Sequence, residues 1–248
     1  MNICLFTKEE IEKKLPASDE RAKHIEKVLH KKEGDTFDAG IIGGKAGSAT
    51  IKKIDEKGIE FEFEEFTDPE KANGKPLNPL TLIIGFPRPI QLRRLLRDVA
   101  GLGAKKIILA TTELTEKSYM ESNDVKDGAA ERMLLDGTVQ AASTHVPVLA
   151  LAKSMEEALK MLTDSPSVKK CALDNRRPTK SLHTWLESET AGEIVAAIGS
   201  ERGWTDKERN LLEENGFTLC SMGKRVLRTE TAATVASSII LDKMGFLD

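Results

Sequence analysis

Two glycine-containing loops in the C-terminal part of the chain carry the residue types best suited to hold a ligand. Residues 199–205 read Gly-Ser-Glu-Arg-Gly-Trp-Thr, and residues 222–232 read Met-Gly-Lys-Arg-Val-Leu-Arg-Thr-Glu-Thr-Ala. Each segment follows an apolar run typical of a strand end and leads into a helical pattern. Glycine lets the backbone approach a ligand closely, and the charged neighbours can orient that ligand. The two loops together predict one ligand pocket.

The elements that must position these loops alternate between strand and helix patterns over residues 80–248. Such alternation is typical of an α/β fold with a mainly parallel sheet and helices on both faces. Thr205 and Glu208 fit a capping box, which predicts a helix start directly after the first loop. The predicted strands are 80–85, 106–110, 170–173, 193–198 and 217–221, and the predicted helices are 90–102, 132–142, 155–162, 206–215 and 230–244.

The first 67 residues show a different pattern. A helix is predicted over residues 19–31, with Ile25, Val28 and Leu29 as its apolar stripe. Short alternating runs separated by glycine turns follow and predict a small β-barrel, with strands at 36–39, 48–51 and 59–64.

A change in composition marks the expected domain boundary. Residues 68–79 contain three prolines, a glycine and polar residues, which cannot sustain a helix or a central strand. We therefore expect a first domain over residues 1–70 and a second over residues 78–248.

Several classes of protein are disfavoured. Residues 40–47 do not form a phosphate-binding loop, because alanine stands where the motif requires a glycine and a hydroxyl residue. The sequence also contains no GxGxxG motif, which argues against a nicotinamide-dependent dehydrogenase. No apolar run suits a signal peptide or a membrane span. The wide spacing of the cysteines argues against disulfides and zinc, so a cytoplasmic, metal-free protein is expected; these are Cys4, Cys171 and Cys220.

The net charge of −3 does not by itself indicate an RNA-binding protein. The basic residues are unevenly spread, however, and gather at 21–32, 88–97, 176–177 and 224–228. Local basic faces can bind phosphate even on an acidic protein, although any one cluster can also be ordinary solvated surface.

Both loops, and the order in which they occur, resemble the signature loops of the RsmE family. Residues 222–232 match the second signature almost without change, and residues 199–208 match the first apart from Ser200 and Arg202. Residues 24–35 are similar to the family's opening pattern. Members of that family are SPOUT-class methyltransferases that act on N3 of a uridine in small-subunit (16S) ribosomal RNA.

The resemblance implies a SPOUT-type parallel sheet with a C-terminal trefoil knot, preceded by a small PUA-like β-barrel domain that binds RNA. It also implies a homodimer, S-adenosylmethionine as cofactor, and small-subunit ribosomal RNA or the assembled subunit as partner. The cofactor-binding residues expected on this basis are Leu173, Gly199, Glu201, Gly203, Met222, Gly223, Arg225, Val226, Leu227 and Arg228.

Methyl transfer to N3 of uracil needs a base, because that nitrogen carries a proton at neutral pH, and a donor for the developing negative charge. Either Glu201 or Glu230 is expected to accept the proton, with Arg228 as the donor or as a phosphate contact. Glu230 is also suited simply to the start of the last helix. Two alternatives remain: methylation of a different RNA uridine, and an RNA-binding relative without catalysis.

Contacts with RNA are expected from both domains. Arg202 stands where the family has glycine, and would be strained by about 1 kcal/mol if that position needs a positive φ. Trp204 is expected either to cover the cofactor pocket or to pack before the Thr205 cap. The predicted RNA-binding residues are Arg21, Lys27, Lys31, Arg88, Arg93 and Arg202.

Overall fold

The computed structural model describes residues 2–162, 165–188 and 192–247, and the chain folds into two compact units. The first unit comprises Met1–Pro76 with Thr138–Val146, and the second comprises Leu77–Gly137 with Pro147–Asp248. Composition predicted a single boundary along the chain, whereas the first unit also contains Thr138–Val146. The predicted boundary stays a prediction.

The first unit is built on a mixed five-stranded sheet that curls into a half-barrel. Buried apolar side chains such as Phe6, Ile25 and Ile59 form its core. Strand order is β1-β3-β4-β5-β2, with β1 parallel to β3 and the other pairs antiparallel. Its elements are β1 (Cys4–Phe6), β2 (Leu15–Pro16), α1 (Glu20–Lys27), β3 (Thr36–Ile41), β4 (Ala46–Asp55), β5 (Gly58–Glu65) and α2 (Pro69–Ala72).

Helix α1 is shorter than the helix predicted over residues 19–31. Asp19 caps its start and the helix ends at Lys27, after which His30 adopts a positive φ of 52°. Val28 and Leu29 are therefore exposed, at 60% and 41%, and the expectation that they extend the apolar stripe of Ile25 was wrong.

The second unit contains a seven-stranded sheet, parallel throughout, in the order β10-β12-β9-β11-β6-β7-β8. The expected α/β fold is thus confirmed. The strands are β6 (Asn78–Gly85), β7 (Ala104–Ala110), β8 (Val148–Ala152), β9 (Val168–Leu173), β10 (Lys180–Ser181), β11 (Glu193–Ile198) and β12 (Thr218–Ser221). The helices are α3 (Pro89–Gly101), α4 (Ala129–Gln140), α5 (Met155–Lys160), α6 (Leu182–Ser188), α7 (Asp206–Glu214) and α8 (Thr229–Lys243), with 3₁₀ turns at Lys117–Tyr119 and Asn123–Val125.

Elements β8, β10 and α6 were not predicted. Strand β8 is an edge strand and β10 has only two residues, so neither produces a strong periodic signal. Helix α6 is short, although its buried residues Leu182, Trp185 and Leu186 have helical spacing.

Candidate functional site

A cavity of about 360 Å³ opens at the carboxyl ends of three adjacent strands. Leu173 at the end of β9 pairs with Ile198 of β11 on one side and with Cys220 of β12 on the other. The loops that follow these strands therefore meet at one edge of the sheet, where open α/β sheets bind ligands. The predicted cofactor-binding residues that line the cavity are Leu173, Gly199, Glu201, Gly203, Met222, Arg225, Val226 and Leu227.

The first loop forms a tight turn closed by a bridge between Ser200 and Gly203. The Gly203 N–H donates to the Ser200 carbonyl over 2.8 Å, and Gly203 has a φ of +73°. Arg202 is not among the described residues with positive φ, so the strain considered for it does not arise. Glycine at 203 takes the left-handed conformation instead.

The carboxylate of Glu201 bridges from this turn to the start of α3. One of its oxygens accepts the backbone N–H of Arg88 over 2.7 Å. Arg88 is the N-cap residue of α3 and has no side-chain cap, so Glu201 satisfies an otherwise free donor there. Glu201 is thereby held in place while its side chain lines the cavity.

Trp204 is a core residue of the second unit. Its side chain is 1% exposed and its indole N–H donates to the Leu173 carbonyl over 2.9 Å. It is not among the residues that line the cavity, and of the two alternatives its burial favours packing before the Thr205 cap. The capping box predicted for the next residue, Thr205, is confirmed by reciprocal hydrogen bonds with Glu208.

The second loop joins the cavity to helix α8. The Thr229 hydroxyl, in the first turn of α8, donates to the Gly199 carbonyl over 3.3 Å and so ties the second loop to the first. Three predicted residues are not among the cavity's lining residues: Gly223, which has a φ of +98°, the exposed N-cap residue Arg228, and Glu230, which is 9% exposed.

A buried ion pair forms one side of the cavity and was missed by the sequence analysis. The Asp174 carboxylate accepts from Nε and Nη2 of Arg209 over 2.7 and 3.2 Å, and both side chains are at most 3% exposed. It also accepts the backbone N–H groups of Arg176 and Arg177. Burial alone would raise the pKa of Asp174, but these hydrogen bonds outweigh it and lower the pKa.

Comparison with known proteins decides the family. Residues 73–241 match a protein-family model described as an RNA methyltransferase domain, and residues 17–64 match one described as an RNA methyltransferase PUA domain. The ribosomal RNA small subunit methyltransferase E of Treponema pallidum is 42% identical, with 97% of this chain and 91% of that protein covered. The chain belongs to the ribosomal RNA small subunit methyltransferase E family.

A further relative and two solved structures match along nearly the whole chain. Ribosomal RNA small subunit methyltransferase E 1 of Borreliella burgdorferi is 34% identical, covering 98% of this chain and 99% of that protein. A crystal structure of the Neisseria gonorrhoeae enzyme bound to S-adenosyl methionine has a TM-score of 0.78 at 23% identity, covering 98% and 97% of the two chains. A methyltransferase from Legionella pneumophila, solved with the same cofactor, has a TM-score of 0.77 at 22% identity over 98% and 97%. These structures establish a shared fold.

The side chains expected to bind RNA differ in whether they are exposed and free of other protein contacts. In the first unit, Arg21 is engaged with Asp19, Glu10 and the Leu5 carbonyl and lies over the Phe6 ring, which argues against a phosphate contact. Lys27 is exposed and Lys31 half-buried. In the second unit, Arg88 and Arg202 are exposed, and Arg93 forms an exposed ion pair with Asp136 over 3.2 Å.

A cysteine also lines the cavity. Cys220 lines the cavity, and burial raises its pKa to about 11, so it is a neutral thiol at neutral pH.

Within residues 2–162, 165–188 and 192–247, no group of three metal-ligating side chains occurs and no helix is long and apolar enough to cross a membrane. Lining residues not predicted to bind cofactor are Asp174, Asn175, Arg176, Ile198, Ser200, Arg202, Arg209, Cys220, Thr229 and Ala232.

Proposed function

We propose that this chain is an S-adenosylmethionine-dependent methyltransferase that modifies N3 of a uridine in 16S ribosomal RNA. The observation that carries the proposal is the convergence of both glycine-containing loops on one cavity at the carboxyl ends of β9, β11 and β12. Family membership and the names of the relatives support the reaction and the RNA class.

The cavity suits the cofactor in size and composition. Its volume of about 360 Å³ lies in the range of small-molecule sites, and its walls combine backbone of Gly199 and Gly203 with apolar side chains of Leu173, Val226 and Leu227. S-Adenosylmethionine supplies a methyl group on a sulfonium centre, so the protein must supply position and electrostatics. The glycines leave space for close backbone approach, and the apolar side chains exclude water.

We assign the role of base to Glu201 and a supporting role to Glu230. Glu201 is exposed, lines the cavity and is anchored by the Arg88 N–H, so its carboxylate can accept the N3 proton of a uracil placed at the mouth of the cavity. Glu230 is buried in the first turn of α8, where the helix dipole stabilises its charge. Arg228 directly follows Leu227, which lines the cavity. The Arg228 side chain has no ion-pair or hydrogen-bond partner within the described residues. Its guanidinium group can therefore stabilise the uracil oxygens or bind phosphate.

N3 lies on the Watson–Crick edge of uracil, so the target must be unpaired or extruded when it is methylated.

The decisive experiment is labelled methyl transfer to small ribosomal subunits from a strain lacking this protein. The wild-type chain and Arg228→Ala are each incubated with these subunits, and the products are identified by nucleoside mass spectrometry. We expect N3-methyluridine from the wild type and none from the variant. Label on carbon or ribose oxygen would overturn the assigned specificity, and absence of cofactor binding in calorimetry would favour an RNA-binding relative without catalysis.

The proposal includes a homodimer, a trefoil knot and a cytoplasmic location. The small side chains Ala233, Ala236 and Ser237 of α8 are buried within the unit, whereas Val235 and Ile239 stay 36% and 38% exposed. This apolar pair supports contact with a second copy, which sedimentation of Val235→Glu would test. The trefoil knot is proposed from the family resemblance, and the buried thiols of Cys171 and Cys220 support a reducing compartment.

A further inference from the structure

A second, open groove of about 640 Å³ adjoins the cofactor cavity. We call it the outer groove; its walls include Leu114, Arg176, Glu201, Arg202, Thr205 and Asp206. Four residues line both spaces and so stand at their junction: Arg176, Glu201, Arg202 and Arg209. A ligand that extends out of the cavity passes these four side chains.

The charge of Arg209, which also lines the outer groove, is already paired within the protein. Arg209 is paired with Asp174 over 2.7 Å and with Asp206 over 3.0 Å. The Glu201 carboxylate accepts the uncharged Arg88 N–H, which orients the carboxylate without pairing its charge. The cationic groups left for an anionic ligand are therefore the guanidinium groups of Arg176 and Arg202.

Those two guanidinium groups are available for an anion. The Arg176 side chain has no ion-pair or hydrogen-bond partner in the described part of the chain, and it is exposed. The Arg202 guanidinium lies 3.9 Å from Glu116, with the two side chains 68% and 54% exposed. Such a long, solvated pair contributes little and is easily exchanged for a better partner.

The backbones that carry the two arginines are held in place. The Arg176 N–H donates to the buried Asp174 carboxylate over 3.1 Å. Arg202 is at the tip of the turn closed by Ser200 and Gly203. Anchored backbones reduce the ordering cost of binding, because only the side chains must be fixed.

We propose that Arg176 and Arg202 bind the phosphate of the RNA strand next to the nucleotide that enters the cavity. This inference rests on the proposed function and names a substrate contact for it. Guanidinium groups present planar forks that match phosphate oxygens, and two of them facing one junction suit the regularly spaced charge of a polynucleotide. The groove outside the junction is larger than the cavity and open, as a strand leading away from the target requires.

The neighbouring Arg177 provides a matched control. Its guanidinium donates to Asn210 and Glu213 over 2.8 and 2.7 Å and lines neither space. Replacing it by alanine removes the same charge from the same loop without removing a proposed phosphate contact.

The test compares Arg176→Ala, Arg202→Ala, the double variant and Arg177→Ala in the full-length chain. Binding to a uridine-containing single-stranded oligoribonucleotide is measured by fluorescence anisotropy at several salt concentrations, and binding of S-adenosylhomocysteine by calorimetry. We expect each junction variant to weaken RNA binding about tenfold and to reduce the salt slope by roughly 0.7, a larger loss than any in S-adenosylhomocysteine affinity. Arg177→Ala should match the wild type in both.

Two results would overturn the inference. If S-adenosylhomocysteine binding weakens while the RNA salt slope stays constant, the arginines hold the cofactor. If neither changes relative to Arg177→Ala, they are solvated surface. Because the salt slope is measured without turnover, its outcome is independent of whether the wild type methylates N3 of uridine.

Discussion

The carboxylate of Asp174 and the guanidinium of Arg209 form a bidentate ion pair that is almost fully removed from solvent, with N···O distances of 2.7 and 3.2 Å. The pair joins the end of β9 to helix α7, and the same carboxylate holds the backbone of Arg176 and Arg177. It therefore sets the position of the loop that forms one wall of the cavity.

Breaking this pair should destabilise the fold strongly. Arg209→Met leaves the Asp174 carboxylate buried without its charged partner, which costs about 3–5 kcal/mol in typical buried pairs. The free energy of unfolding in urea measures the loss. Arg177→Ala breaks the exposed ion pair with Glu213 and should cost at most about 1 kcal/mol. Equal losses in the two variants would contradict a structural role for the buried pair.

The same carboxylate predicts a pH dependence of stability. The folded-state pKa of Asp174 lies below its ordinary value of 3.8. Its ionised form therefore stabilises the fold above that pH, and the contribution is lost as the pH falls through the folded-state pKa. The free energy of unfolding of the wild type should exceed that of Asp174→Asn most near neutral pH, and the difference should shrink as the pH falls below 3.8 towards the folded-state pKa. A difference that stays constant with pH in urea unfolding would contradict this assignment.

Local features were predictable from the sequence, and contacts between distant residues were not. Strand β11 has the predicted bounds, and the Thr205 capping box is confirmed, because both depend on neighbours within a few residues. Asp174 and Arg209 are 35 residues apart, and no local pattern indicates that they meet. The end of α1 was misjudged because the positive φ of His30, a non-glycine residue, leaves no compositional signal.

Most of the lining that comes from the two loops was predicted, and so was Leu173 at the end of β9, but the lining from the segment after β9 was missed. The glycine pattern of the loops identified Gly199 and Gly203, whereas Asn175 and Arg176 follow a strand whose sequence contains no comparable motif. Strand order decides which loops meet, and that order is set by packing of the whole sheet rather than by any one segment.

Close packing of Gly85 against the first loop predicts a steric effect on cofactor binding. A Cβ at Gly85 would lie 2.3 Å from the Ser200 nitrogen and 2.9 Å from the Gly199 carbonyl carbon, both backbone atoms. Gly85→Ala should therefore displace the loop and weaken S-adenosylhomocysteine binding by at least about tenfold in calorimetry. At Gly192 a Cβ meets no described atom within 4 Å, so Gly192→Ala should bind normally. Equal affinities for the two variants would show that the loop does not depend on this contact.

Separate replacement of the two carboxylates tests which one is the base. Glu201→Gln keeps an oxygen that can accept the Arg88 N–H, so the turn should stay in place while proton abstraction is lost. We expect kcat to fall by about 10²–10⁴-fold, with unchanged cofactor affinity. Glu230→Gln should retain most of kcat, because this buried side chain acts on the start of α8 rather than on the uracil. The opposite pattern, with kcat lost only in Glu230→Gln, would transfer the role of base to Glu230.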